Sequence, residues 1–154
     1  MSRSVYVASP EGLTGKSAVA LGLLDALTRE VGSVGVFRPL TTTSSSSAEV
    51  DLTVDLLVNQ PGISESYEEA IGVTYDAARQ DADEALHVIV ERFGQLTDRF
   101  DVILVVGSDY SDVTTGTERA LARIDVPNRN VNVYGGTPQM PEAIRVAQSP
   151  SQIV

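Results

Sequence analysis

The stretch Ala8-Ser9-Pro10-Glu11-Gly12-Leu13-Thr14-Gly15-Lys16-Ser17 constrains the chain more than any other. An apolar, strand-like run, Ser4-Val5-Tyr6-Val7-Ala8, leads into it, and an apolar, helix-like run, Ala18 to Val31, leads out. A strand, a Gly-rich loop ending in Gly-Lys-Ser, and a helix form the arrangement that cradles a phosphate chain. Backbone N–H groups line such a loop, the helix N-terminus adds partial positive charge, and the lysine ammonium reaches the outer phosphates. The hydroxyl after the lysine is placed to ligate Mg²⁺. Lys16 and Ser17 are the foremost candidates, with Glu11, Gly12, Thr14 and Gly15 lining the loop. The full pattern has a glycine where this chain has Pro10, and proline fixes φ near about −65° and offers no N–H. The loop mouth therefore differs from the standard one, with Gly12 restoring some freedom. The plainer alternative is a Gly-rich strand-to-helix turn bearing a surface lysine.

Composition narrows the partners. A chain of 154 residues predicts one domain with room for a proper core. A net charge of −10 argues against a nucleic-acid partner, because phosphate backbones demand a basic face. Any nucleotide site must gather its positive charge locally. There is no cysteine, so disulfides, thiol chemistry and Cys-based metal sites are excluded. No stretch reaches the ~18–20 apolar residues of a membrane span, and the N-terminus lacks the pattern of a signal peptide. The expectation is a cytoplasmic protein with no membrane partner.

Further along, Val19, Leu23, Leu27 and Val31 mark one helix face, thickened by Ala20, Leu21 and Leu24, with Gly32 as the stop. Val34-Gly35-Val36-Phe37 reads as a second buried strand, halted by Arg38-Pro39. Thr41 to Ala48 is hydroxyl-rich and reads as a surface linker in preference to a loop that greets a phosphate. Asp51 to Val58 reads as a short helix with Leu52, Leu56 and Leu57 inward, and Ile63 to Arg79 shows no firm period apart from an extended Ile71 to Tyr75. Asp81 with Glu84 opens the clearest helix, whose stripe runs through Leu86, Ile89, Val90, Phe93, Leu96 and Phe100. His87 falls beside that stripe as a solvent-facing bystander.

Val102-Ile103-Leu104-Val105-Val106 is an unbroken apolar run, mostly β-branched, hence a strand buried on both faces in the middle of a parallel sheet. Ligands of open α/β sheets sit beyond the carboxyl ends of the strands. Asp109 is thus placed for Mg²⁺ or a water on it, with Asp112 as a weaker candidate; the alternative is that Asp109 caps a turn. A weak helix, Thr117 to Ile124, follows, then a possible edge strand, Val131 to Tyr134, and a short helix from Pro141 to Gln148. The fold class expected is α/β: a P-loop NTPase-like parallel sheet flanked by helices, incomplete toward its C-terminal end. The domain organisation expected is a P-loop domain over 1–125 and an irregular extension with a short helix over 126–154.

Four pieces carry a family resemblance. They are Val5 to Gly12 with Thr14 to Ser17, Val34 to Pro39, Ile71 to Asp76, and Val105 to Tyr110. In this order and spacing the chain, over roughly residues 3 to 124, resembles the N-terminal P-loop domain of long bacterial phosphate acetyltransferases, particularly actinobacterial ones. That domain is itself similar to dethiobiotin synthetase. The resemblance implies a nucleotide-binding ancestry and a regulatory or assembly role, with ATP or another nucleotide and Mg²⁺ as ligands. Acetyl transfer between coenzyme A and phosphate belongs, in the long enzymes, to a separate C-terminal domain. The partners implied are that catalytic domain or further copies of the chain.

Where dethiobiotin synthetase closes a strand with a carboxylate, this chain has Val106, so Glu11 or Asp109 would help to hold the metal. Where that enzyme has a lysine before the proline of its second strand, this chain has Arg38, which keeps the charge for a phosphate. Two other functions fit less of the sequence: an ATP-dependent enzyme of the dethiobiotin synthetase type, and a structural module whose loop is a relic.

Overall fold

The computed structural model describes residues 2–9, 15–41, 50–109 and 131–133, and at residues 8, 9, 108, 109 and 131–133 the backbone alone. Along the chain run β1 (Arg3–Ser9), α1 (Lys16–Glu30), β2 (Val34–Thr41), α2 (Leu52–Val58), α3 (Tyr67–Ala70), β3 (Ile71–Thr74), α4 (Tyr75–Gln80), α5 (Ala82–Thr97), β4 (Val102–Asp109) and β5 (Val131–Val133). The five strands form one sheet in the order β3-β2-β4-β1-β5, and every pairing is parallel. β4 lies at the centre, between β1 and β2, as its unbroken apolar run requires. β5 pairs with β1 through Tyr6↔Val131 to Ala8↔Val133, so three residues beyond 125 add the outer strand. The short helices expected over 117–124 and 141–148 lie outside the described residues.

Alternation along the strands separates two cores. On one face Val7, Val34, Val36, Leu104 and Val106 pack with Ala20 and Leu24 of α1 and Leu57 of α2. On the other, Phe37, Ile103 and Val105 pack with Tyr75 and Ala78 of α4 and with Ala85, Ile89 and Leu96 of α5. The helical stripes sit slightly off the expected lines. Ala20 and Leu24 are the fully buried residues of α1, while Val19, Leu23, Leu27 and Val31 flank them. In α2 the inward residues are Val54 and Leu57, whereas Leu52 and Leu56 are 81% and 42% exposed. Val90 likewise lies outside the buried face of α5.

β2 does not stop at Arg38-Pro39. It registers with β4 from Val34↔Val102 to Phe37↔Val105 and with β3 at Arg38↔Ile71, Leu40↔Val73 and Thr41↔Thr74. Pro39 stands just past the last β4 partner and is skipped on the β3 side, so its missing N–H leaves no ladder bond unmade. The stretch read as aperiodic holds α3, β3 and α4. α3 opens with a reciprocal capping box, Ser66 Oγ accepting from Glu69 N–H and Glu69 from Ser66 N–H.

At α5 the expected cap is present: the Asp81 carboxylate accepts from Asp83 N–H at 3.1 Å and Glu84 N–H at 3.0 Å. Asp81→Ala is expected to cost about 1 kcal/mol, read as a lowered urea midpoint with an unchanged slope. Arg92 of α5 donates to the carbonyls of Ile71 and Gly72 at 2.7 and 2.8 Å, tying the helix to the edge strand. Among the described residues no helix is long and apolar enough to cross a membrane.

Candidate functional site

The start of α1 has the backbone the Gly-Lys-Ser pattern asks for. Gly15 caps the helix in the left-handed region, φ 78°, a conformation that favours glycine. Its carbonyl accepts from Val19 N–H, and Lys16 and Ser17 open the first turn. Lys16 is 7% exposed, with Nζ donating to the Gly107 carbonyl at 2.5 Å, at the carboxyl end of the central strand. An ammonium this buried needs carbonyl or anionic partners, and it is held where the fold class places ligands. A Cβ at Gly107 would lie 2.7 Å from the Tyr6 hydroxyl, so the absent side chain lets the Tyr6 ring of β1 lie close against this strand end.

Beside it runs a belt of polar contacts joining α1, α2 and β2. Ser17 Oγ meets Thr53 Oγ1 at 3.0 Å, linking the first turns of two helices. Asp51 caps α2, Oδ1 accepting from Thr53 N–H at 3.0 Å and Val54 N–H at 3.3 Å. Its other oxygen lies 2.7 Å from Arg38 Nε, and both side chains are 4% exposed. The N–H is not aimed along that contact, so the pair attracts by charge without a formed hydrogen bond. Arg38 Nη1 and the Thr41 hydroxyl, both buried on β2, have no hydrogen-bond partner among the described residues. Unused donors at such depth are costly, and they suit an anion that brings acceptor oxygens.

Of the residues singled out from sequence, Gly15, Lys16, Ser17 and Arg38 lie within this region of the fold. Glu11, Gly12, Thr14 and Asp112 lie outside the described residues. Asp109 ends β4, its side chain likewise outside them. Val106 is fully buried in the α1-side core and offers no ligand atom. His87 is exposed. Among the described residues no three His, Asp or Glu side chains converge on a metal position. A cation here would rely on the Ser17 and Thr53 hydroxyls and on phosphate oxygens, the mixed oxygen set Mg²⁺ accepts. Asp51 and Thr53 are site neighbours that sequence reading missed, and Thr41 is one that it set aside as linker. Asp51 carried one signal, its cap-type residue immediately before an apolar helix.

An all-parallel sheet whose first strand feeds a left-handed glycine, a buried lysine and the N-terminus of a helix defines a P-loop NTPase-like α/β domain. The chain belongs to the AAA domain family, which matches residues 3–126. It is similar to the phosphate acetyltransferase of Nitratidesulfovibrio vulgaris, with 30% identity over 115 residues. It is also similar to that of a Synechocystis species, with 29% identity over 115 residues. Each match covers 71% of this chain and 16% of the relative, so the chain spans about one sixth of the length of these curated relatives. The resemblance read from four sequence pieces, to the P-loop domain of phosphate acetyltransferases, is thereby shown.

Proposed function

We propose that this chain is a nucleotide- or phosphate-binding accessory domain of a phosphate acetyltransferase-like protein, acting in regulation or assembly rather than in acetyl transfer. The observation that carries the reading is the buried Lys16 ammonium at the start of α1, behind a left-handed Gly15 and at the carboxyl end of β4. Lys16, with the Gly15–Ser17 turn, takes the outer phosphates. Arg38, with its unused Nη1, and Thr41 supply further donors. The loop residues Glu11, Gly12 and Thr14 complete the cradle, and Ser17 with Asp109 holds Mg²⁺. ATP is the nucleotide proposed. A dethiobiotin synthetase-type enzyme is the weaker reading, because Val106 occupies the place of its strand-closing carboxylate and is sealed in the core.

Calorimetric titration with ATP and ADP in the presence of Mg²⁺ tests the proposal. Lys16→Ala is expected to weaken nucleotide binding at least tenfold, since a charge-assisted contact contributes about 1.5–3 kcal/mol. No heat and no thermal shift for the parent, with Lys16→Ala indistinguishable from it, would overturn the reading. A coenzyme A release assay on the same preparation checks the expectation that the chain alone transfers no acetyl group.

A further inference from the structure

β2 begins at Val34, yet its register with β3 starts only at Arg38↔Ile71. The Val36 N–H is met instead by Glu65, from the turn between α2 and α3, whose Oε1 accepts it. The residue is 5% exposed, and its second oxygen, Oε2, is buried without a hydrogen-bond partner among the described residues. Two residues further on, the Tyr67 hydroxyl accepts from Asp51 N–H at 2.8 Å. Asp51 in turn faces Arg38, two residues along β2 from Val36. One short segment is thus fastened at Glu65 to the sheet and at Tyr67 to the head of α2.

We propose that Glu65 is a protonation latch: as a neutral carboxyl it holds the α2–α3 turn against β2, and its ionisation loosens that turn and, through Tyr67, the Asp51 end of α2. A neutral carboxyl meets the Val36 N–H and leaves one O–H without an acceptor, a smaller penalty than the desolvation of a buried carboxylate with one empty oxygen. Burial accordingly pushes the Glu65 pKa up to about 7, against the pull of the Val36 N–H and the Arg99 charge, with Glu69 of α3 adding to the rise. Among the described hydrogen bonds, β2 meets it through the Val36 amide. Because the closed form holds the proton more tightly than an open one near 4.5, latching is strongest below that pH. Its advantage falls as pH rises toward 7 and is constant above. The opening constant therefore rises roughly five- to sevenfold per pH unit between pH 5 and 7, about 40-fold in all.

The test is an NMR titration of the ¹⁵N-labelled 154-residue chain from pH 5 to 9, with hydrogen exchange corrected for its intrinsic pH dependence. The Val36 and Asp51 amide shifts are expected to inflect together near pH 7, and Glu65→Gln to abolish both inflections and the pH-dependent opening. Glu69→Gln should move the midpoint down and Arg99→Gln move it up, and these exposed sites carry the test if Glu65→Gln fails to fold. A Val36 amide flat across the range, an inflection surviving in Glu65→Gln, or a midpoint unmoved by both neighbours would overturn the latch. A titrating Val36 beside a flat Asp51 would overturn its coupling to α2. No arm uses nucleotide, so failure here is separate from failure of the binding proposal.

Discussion

Asp51→Ala is expected to destabilise the chain by about 3–5 kcal/mol, the usual cost of stripping one partner from a buried ion pair. Arg38 is 3% exposed and its guanidinium has no other acidic partner among the described salt bridges, so the substitution strands a charge in the interior. The same change removes the cap of α2, which accepts two backbone N–H groups; that alone contributes about 1 kcal/mol. Urea unfolding of the two proteins measures the loss. Arg38→Met combined with Asp51→Leu is expected to recover most of it, because apolar groups of similar volume often replace a buried pair at no net cost. A loss below about 1 kcal/mol for Asp51→Ala, the range of exposed pairs, would mean that the pair contributes nothing to stability. Added phosphate should then stabilise Asp51→Ala more than the parent, if the anion enters beside Arg38.

The second large effect is steric. Gly72 lies on β3 where a Cβ would come 2.2 Å from the Pro39 carbonyl oxygen and 2.9 Å from its carbon. Both atoms are backbone, so no rotamer change relieves the clash, and β2 and β3 must move apart. Gly72→Ala is expected to cost about 3 kcal/mol, at the upper end for overpacking. For a domain of this size that corresponds to a melting temperature lower by roughly 6–12 °C. Gly94→Ala is the control: it sits in α5 with open space around a new Cβ, and should stabilise by about 0.5–1 kcal/mol through helix propensity. Equal melting temperatures for the two variants would show that β2 and β3 do not approach as closely as described.

The parts of the molecule legible in sequence were those set by local pattern. Val102 to Val106 reads as a central strand because an unbroken apolar run tolerates water on neither face, and it lies between β1 and β2. Lys16 and Ser17 are legible because glycine, lysine and serine occur in fixed order between a strand and a helix. What escaped depends on approach from a distance. Leu52 and Leu56 look inward by spacing, but a helix of seven residues has little periodicity with which to choose its face, and Val54 and Leu57 win the core. Pro39 looks like a strand end until the neighbour on that side is seen to have stopped pairing already. Asp51 meets Arg38 only because α2 returns to β2, and Glu65 substitutes for a strand that starts too late; no spacing rule encodes either. α3 carried its own capping box, Ser66 with Glu69, overlooked because only a single helical turn follows it.

The strand order has a consequence for biosynthesis. Arg3 aligns with Val102 and Val34 with Val102 as well, so the two earliest strands share a neighbour made long after both. As the chain leaves the ribosome, β1 and β2 wait side by side without touching, and their non-local pairing is slow to nucleate. Of the strand pairs, only β2–β3 can form before β4 arrives, with α1 and α2 already able to pack on β2 through contacts such as Ser17–Thr53 and Arg38–Asp51. Arrival of the stretch from Val102 to Asp109 zips both halves onto one template, and the Gly107 carbonyl that receives Lys16 is delivered in that same step.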